Sequence, residues 1–193
     1  CGIIGIVDKK NCINDLISSL SRLEYRGYDS AGIATLNKNK FVLNKSKGKL
    51  SNLRLKIKQK KIMGNIGIGH TRWATHGKPS NDNAHPFLKK NCAIVHNGII
   101  ENYSDIKKSL ANHKTNYQSS TDTEVVAELM NYLIEEGASP LESMKEITSR
   151  IEGNYALVFL VKSSNNLYFS RKGSPLVVGI SKTFKCVASD TLA

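Results

Sequence analysis

The sequence has few cysteines and no paired cysteine motif. Its four cysteines stand far apart along the chain, and no two of them form a CxxC pair. We therefore expect neither a disulfide framework nor a zinc framework. A chain of 193 residues can bury a sufficient hydrophobic core without such cross-links. The composition predicts a single domain in a reducing compartment, of which the cytoplasm is the simplest.

Long apolar runs, internal repeats and low-complexity segments are also missing. No apolar stretch approaches the roughly 20 residues that span a membrane. Asp8 ends the first apolar run too early for a secretory signal. We therefore expect no membrane partner and no targeting segment.

Acidic residues are few compared with basic ones. The chain has 28 Lys and Arg residues against 16 Asp and Glu residues, for a formal net charge of +12. Such a charge attracts nucleic-acid phosphates. The basic segment 54–61, however, has no aromatic side chains that would stack on bases. We interpret it and the lysine-rich segment 38–49 mainly as solvated surface and expect no nucleic acid; a basic binding module is the alternative.

Apolar periodicity divides the chain into helices and strands. It predicts one helix from 13 to about 27, a second from the Thr121-x-x-Glu124 capping box to 137, and a third from Pro140 to 153. Segment 51–62 is ambiguous between helix and strand. Short apolar runs predict strands at 3–7, 31–36, 41–43, 66–70, 92–95, 155–161, 167–170, 176–180 and 186–188. Strands without regular βαβ alternation predict an α+β fold with helices packed on antiparallel sheets.

The first residue, Cys1, carries a thiol and, as the sequence is written, a free α-amine. Their ordinary pKa values are about 8.5 and about 7.7 to 8.0, so near neutral pH the amine can take the proton that the sulfur releases. Cys1 can therefore be nucleophile and base together. An arbitrary sequence boundary, methionine removal and lipid acylation are the alternatives. The apolar run after Cys1 argues against a lipid tether.

Polar side chains cluster in segment 69–77, directly after a predicted strand. Arg72 can bind a carboxylate through two parallel hydrogen bonds, and Trp73 can close over a small ligand and exclude water. The alternative is a surface turn in which Trp73 packs as a plug. The histidines of this region form no HExxH or HxH pair, so we expect no metal.

Two further candidates stand beside predicted elements. The Asn97 amide and the open N–H of Gly98 can donate to a developing oxyanion, although Asn-Gly is above all a turn dipeptide. Asp122 opens the helix that follows the capping box. There it either complements the helix dipole or binds the ammonium group of a ligand.

Six strings, taken together and in order, resemble the glutaminase domain of the glutamine–fructose-6-phosphate amidotransferase family, in the N-terminal-nucleophile class. They are CGIIG at 1–5, LEYRGYDSAG at 23–32, GHTRWATHG at 69–77, AHP at 84–86, VHNGIIENY at 95–103 and STDTE at 120–124. Purine-pathway and asparagine-forming amidotransferases share the Cys-Gly start but not the strings at 24–32 and 73–77. The last third of the chain adds no motif.

The resemblance implies a four-layer αββα sandwich that hydrolyses the side-chain amide of L-glutamine without a cofactor. Cys1 would be the nucleophile, Asn97 and Gly98 would hold the oxyanion, and Arg26 would help to position Cys1. Arg72 would bind the glutamine carboxylate and Asp122 its ammonium group. The resemblance assigns substrate binding as a whole to Arg72, Trp73, Thr75, His76, Gly98 and Asp122.

The resemblance also implies partners beyond this chain. Complete enzymes of the family deliver the ammonia to fructose 6-phosphate, bound by sugar-isomerase domains that are absent here. A homodimer is expected for the full-length enzyme. Residues 1–193 would be the glutaminase domain, cut short before its last strands and unable by itself to make glucosamine 6-phosphate.

Overall fold

The computed structural model describes residues 1–73 and 80–193. Its helices are α1 (Ile13–Arg22), α2 (Leu50–Lys60), α3 (Tyr103–Ser109), α4 (Asp122–Glu135) and α5 (Pro140–Arg150), and a 3₁₀ turn covers Glu24–Arg26. Its strands are β1 (Gly2–Asp8), β2 (Ser30–Asn37), β3 (Lys40–Lys47), β4 (Ile66–Arg72), β5 (Phe87–Leu88), β6 (Cys92–Gly98), β7 (Tyr155–Val161), β8 (Leu167–Lys172), β9 (Val177–Ile180) and β10 (Phe184–Ala188).

The strands form two sheets that pack face to face. One sheet has the order β3-β2-β4-β1-β10-β9 and the other the order β5-β6-β7-β8. Every pairing of neighbouring strands in these two sheets is antiparallel. Helices α1 and α2 cover the outer face of the larger sheet, and α3 to α5 cover that of the smaller one. The expected four-layer αββα sandwich is therefore confirmed.

The period-2 alternation of side chains explains why each sheet is buried on both faces. In β1, Ile4 and Ile6 pack against the α1 and α2 layer, whereas Ile3 points to the other sheet. In β7, Leu157 and Phe159 pack against the outer helices, while the intervening side chains meet the larger sheet. Successive side chains of a strand point to opposite faces. Continuous apolar runs such as those of β1 and β7 therefore fit central strands.

Most of the expected elements are confirmed, with small shifts of their ends. The hairpin of β2 and β3 turns at Lys38 and Asn39, which both have positive φ, as the tight hairpin turn requires. The ambiguous segment 51–62 is the helix α2, with Leu50, Leu53 and Ile57 buried. The lysine-rich segment 38–49 contains β3, which extends the strand expected at 41–43, and four of its five lysines are exposed, as expected for a solvated surface. Within residues 1–73 and 80–193, none of the helices has the length and hydrophobicity of a membrane-spanning segment.

The two predicted helix starts differ in their capping. At α5 the capping box is complete, because Ser139 accepts from the Glu142 N–H and the Glu142 carboxylate accepts from the Ser139 N–H. At α4 the Thr121 side chain accepts from the Glu124 N–H. The Glu124 carboxylate does not complete a reciprocal box; it binds Lys89 and the preceding loop. The start of α4 is therefore tied to β5 and its flanking loop rather than capped only by its own residues.

One close approach brings the loop before β5 against the larger sheet. A Cβ atom on Gly32 of β2 would lie 2.1 Å from the carbonyl oxygen of His85. Only glycine permits the backbone to come this near. The ring of His85 is thereby held beside β4, at the end of the sandwich where the polar strings converge.

Candidate active site

A cavity of about 240 Å³ opens at one end of the two sheets. The start of β1 lies there beside the end of β4, because Gly2 pairs with Thr71. The end of β6 and the start of α4 complete the wall. Six of the sequence-predicted residues line this cavity: Cys1, Arg72, Trp73, Asn97, Gly98 and Asp122.

Backbone and side-chain contacts hold Cys1 from two sides. Its α-amine donates to the carbonyl oxygen of Arg26 at 2.6 Å, and its own carbonyl oxygen accepts from Arg26 Nε at 3.0 Å. Asn97 Nδ2 donates to the same carbonyl oxygen at 3.1 Å. Arg26 therefore lies behind Cys1 rather than in the cavity wall, which fits a positioning role.

The two reactive groups of Cys1 have different surroundings. The backbone N–H of Trp73 donates to Cys1 Sγ at 3.3 Å, and the thiol lies 3.7 Å from the Trp73 carbonyl oxygen, to which it can donate. Burial, and then the positive charge of Arg26, lower the pKa of the α-amine to about 6. An amine with this pKa is mostly unprotonated at neutral pH and can accept a proton.

A second set of contacts supports Arg26. Its Nη1 pairs with the Asp190 carboxylate at 3.2 Å, and the Tyr25 hydroxyl donates to the same carboxylate oxygen at 2.5 Å. The neighbouring Ser189 exchanges hydrogen bonds with Ile3, through its backbone N–H and its side chain. Neither Ser189 nor Asp190 was predicted as a site residue from the sequence. No local signal marks them, since their partners lie more than 160 positions away in the chain.

Asn97 and Gly98 close β6 beside Cys1. Asn97 uses both ends of its amide, because Oδ1 lies 2.9 Å from His70 Nε2 while Nδ2 contacts Cys1. Gly98 has φ of +112°, and a Cβ there would lie 2.0 Å from the Asn154 carbonyl oxygen. The Asn-Gly pair therefore ends a paired strand that faces the cavity, instead of forming a simple hairpin turn.

Asp122 stands at the first residue of α4 and also in the cavity wall. One carboxylate oxygen accepts from the Ile100 N–H at 2.8 Å, and the other accepts from the Thr123 N–H at 2.8 Å. Its side chain is 22% exposed. The carboxylate thus stabilises the helix start and keeps access to a ligand, so both roles weighed for it are compatible.

Arg72 and Trp73 follow one another at the end of β4 but differ in exposure. Arg72 is buried at the inner wall, whereas Trp73 is 51% exposed and packs on Tyr28, with ring centroids 5.4 Å apart. Trp73 therefore stands at the cavity rim, and the plug alternative does not fit. The remaining predicted binding residues, Thr75 and His76, lie outside the described residues.

Three histidines near the cavity are buried with polar neighbours. Thr123 Oγ1 lies 3.1 Å from His85 Nε2 and 2.9 Å from His96 Nδ1, and the His70 ring stacks on His85. Burial lowers the pKa of all three imidazoles. Within residues 1–73 and 80–193, no group of three potential ligands is arranged to hold a metal ion.

Some residues that line the cavity were not predicted as site residues from the sequence. Tyr103 and Ser120 line the cavity, and both belong to strings that carried the resemblance. Their position in those strings was the available signal. Their side chains give no chemical indication beyond polarity.

This architecture, with a cysteine directly before a central strand, is that of the N-terminal-nucleophile hydrolases. The structure superposes on glutamine phosphoribosylpyrophosphate amidotransferase from B. subtilis with a TM-score of 0.84 and 27% identity, over 99% of this chain and 42% of that chain. A class-II glutamine amidotransferase domain protein from Silicibacter pomeroyi shares the fold, with a TM-score of 0.65 and 16% identity over 98% of this chain and 88% of that one.

Sequence comparison specifies the family. A family model described as a glutamine amidotransferase domain matches residues 70–193, and the chain belongs to this family. Proteins named glutamine–fructose-6-phosphate aminotransferase (isomerizing) from Bradyrhizobium diazoefficiens and Clostridium acetobutylicum are 44% and 47% identical over all of this chain. The chain spans about a third of the length of these curated relatives, 32% in each case.

The crowding at Gly98 gives a test of the site geometry. We expect Gly98→Ala to reduce the free energy of unfolding by about 3 kcal/mol or more, because backbone strain and a steric clash add together. Gly137→Ala is the matched control, since Gly137 also has positive φ (+95°) but nothing within 4 Å of a Cβ. It should lose only about 1 to 2 kcal/mol. Equal losses in urea unfolding would contradict the close approach to Asn154.

Proposed function

We propose that this chain hydrolyses the side-chain amide of L-glutamine to glutamate and ammonia through a thioester on Cys1. The observation that carries the proposal is the setting of Cys1. Its sulfur accepts a backbone N–H, its α-amine has a lowered pKa, and the Asn97 amide lies against its backbone. Cys1 therefore supplies a nucleophile and a base, and Asn97 supplies an oxyanion donor beside it.

The ends of glutamine match the charged residues of the cavity. We assign the α-carboxylate to the Arg72 guanidinium, which can form two parallel hydrogen bonds, and the α-ammonium to Asp122. Asp122 Oδ1 accepts from the Thr123 N–H and the Thr123 hydroxyl. Oδ2 accepts from the Ile100 N–H, and its second acceptor site can take the ligand. Trp73, Thr75, His76 and Gly98 complete the proposed binding set.

The chemical steps follow from these positions. The α-amine of Cys1 takes the thiol proton, directly or through water, and the sulfur attacks the amide carbon. Asn97 Nδ2 and the Gly98 N–H stabilise the negative oxygen of the tetrahedral intermediate. The amine then returns the proton to the leaving nitrogen, ammonia departs, and a glutamyl thioester remains. Water adds to the thioester, glutamate leaves, and the thiol is restored.

We infer the use of the ammonia from the names of the relatives. The two relatives compared above are called glutamine–fructose-6-phosphate aminotransferases, so we propose that the ammonia converts fructose 6-phosphate to glucosamine 6-phosphate. The sugar chemistry would belong to isomerase domains beyond this chain, and residues 1–193 would be the glutaminase domain. We further propose a cytoplasmic homodimer that needs no cofactor and binds no nucleic acid.

Replacement of the nucleophile gives the most direct test. Cys1→Ala keeps the α-amine but removes the sulfur, so we expect glutamine hydrolysis to stop. Cys186→Ala is the control, because that thiol lies on β10 outside the cavity lining, and its rate should be normal. Glutamate release measures both, and intact mass establishes that Cys1 is unmodified. A normal rate from Cys1→Ala would reject the mechanism.

The oxyanion donor can be tested separately. Asn97→Ala removes one donor, so we expect kcat to fall about 10² to 10³-fold, while KM for glutamine changes little because Asn97 does not hold the charged groups of the substrate. Steady-state kinetics separates the two constants. Unchanged kcat would remove Asn97 from this role.

The pH dependence tests the amine as the base. The amine must be unprotonated to take the thiol proton, so kcat/KM should rise with pH through about 6, the pKa expected for this amine, and then level off. The profile of Cys186→Ala should be the same. An acid limb near pH 8, the ordinary value for an α-amine, would argue against the buried amine as base.

A further inference from the structure

His70 has no role in the proposed reaction, yet it contacts Asn97 directly. It lies on β4, is 1% exposed, and points toward the second sheet, where β6 ends. Its Nε2 lies 2.9 Å from Asn97 Oδ1 and 3.1 Å from the backbone carbonyl oxygen of His96. We infer that His70 is a positioning residue, which orients the Asn97 amide so that its NH₂ group faces Cys1. This inference deepens the proposed function and rests on it for its kinetic meaning.

The His96 carbonyl determines the tautomer of His70. A backbone carbonyl can only accept hydrogen bonds. Nε2 of His70 must therefore carry the ring proton if its contact with the His96 carbonyl is to be favourable. The other ring nitrogen, Nδ1, is buried and has no hydrogen-bond partner among residues 1–73 and 80–193. A proton on Nδ1 would leave a buried donor unsatisfied, which disfavours that tautomer.

The ring holds one proton under ordinary conditions. Burial, and then the Cys1 α-amine, which is charged at the acidic pH where this imidazole would take a second proton, lower the pKa of His70 to about 3. The imidazole is therefore neutral at physiological pH, and its single proton lies on the nitrogen that faces two acceptors. Stacking on His85, with ring centroids 4.2 Å apart and planes inclined by 23°, restricts rotation of the ring.

The fixed tautomer then orients the Asn97 amide. A protonated Nε2 requires an acceptor, so the amide oxygen must turn toward His70. Nδ2 must then point the opposite way, toward the Cys1 carbonyl oxygen at 3.1 Å. If the amide were flipped, its NH₂ group would face the Nε2–H of His70, donor against donor. Its oxygen would face the Cys1 carbonyl oxygen, acceptor against acceptor, so both contacts would be unfavourable. His70 thus keeps the proposed oxyanion donor on the Cys1 side of the amide before substrate arrives, the preorganisation on which electrostatic catalysis depends.

A pair of variants with similar shape separates this role from packing. In the full-length protein, His70→Gln keeps an amide donor near the position of Nε2, whereas His70→Met has similar length and no donor. We expect His70→Met to lower kcat by about 10-fold or more relative to His70→Gln, with KM for glutamine within about twofold. His113→Phe replaces an exposed histidine that follows α3 in the chain and is not among the cavity-lining residues, so it is the control and should match the wild type.

The Asn97→Ala background tests whether His70 acts through the amide. Without the amide, His70→Met and His70→Gln should have equal kcat, because there is nothing left to orient. A further loss from His70→Met in that background, or equal kcat of the two variants in the wild-type background, would overturn the inference. If the wild-type protein does not hydrolyse glutamine, the proposed function fails instead.

One measurement needs neither activity nor a variant that folds. Nitrogen-15 NMR of histidine-labelled wild-type protein distinguishes the two neutral tautomers of a buried imidazole. We expect His70 to carry its proton on Nε2 from pH 6 to pH 8. A proton on Nδ1, or a charged ring in this range, would overturn the inference whatever the enzyme does.

Discussion

The whole candidate site depends on fixing Cys1 at the end of a central strand. The first residues of a chain are usually poorly ordered unless they are tied down. Here β1 lies between β4 and β10 inside the larger sheet, so Cys1 continues a strand that is paired on both sides. Arg26 and Asn97 then hold the backbone of Cys1. A register slip of one residue would turn every side chain of β1 to the other face and remove the sulfur from the cavity.

Periodicity was sufficient for the elements that bury a continuous apolar face. The helix α4 and the strand β7 contribute many side chains to one core and were predicted from the sequence. Two short elements were not. The strand β5 has two residues, and the helix α3 has a single buried residue, Ile106, so neither carries a periodic signal. Their positions follow from tertiary packing. The Glu124 side chain likewise fitted a local cap in the sequence but is bound by Lys89 in three dimensions.

The cavity residues could be named from the sequence because strongly polar types cluster where strands end. Arg72 and Asn97 belong to such clusters, and the structure brings them to one cavity. The residues that position them could not be named in this way. The contact of His70 with Asn97 depends on how two sheets stack, and the pairing of Asp190 with Arg26 joins distant parts of the chain. Hydrogen-bond chemistry predicts what such residues can do, but only the packed sheets determine which of them meet.

The Asp190–Arg26 contact also joins an early and a late part of the chain, so it can form only after residue 190 has been synthesised. Protein synthesis releases the chain from its first residue onward. The strand β1 therefore leaves the ribosome long before β10, its neighbour in the sheet, and before Ser189 and Asp190, which hold Ile3 and Arg26. Until then one edge of β1 is unpaired and Cys1 lacks its complete support. Cys1 therefore leaves the ribosome before the residues that complete its support, so a nascent chain interrupted before residue 190 carries this thiol without the contacts of Ser189 and Asp190.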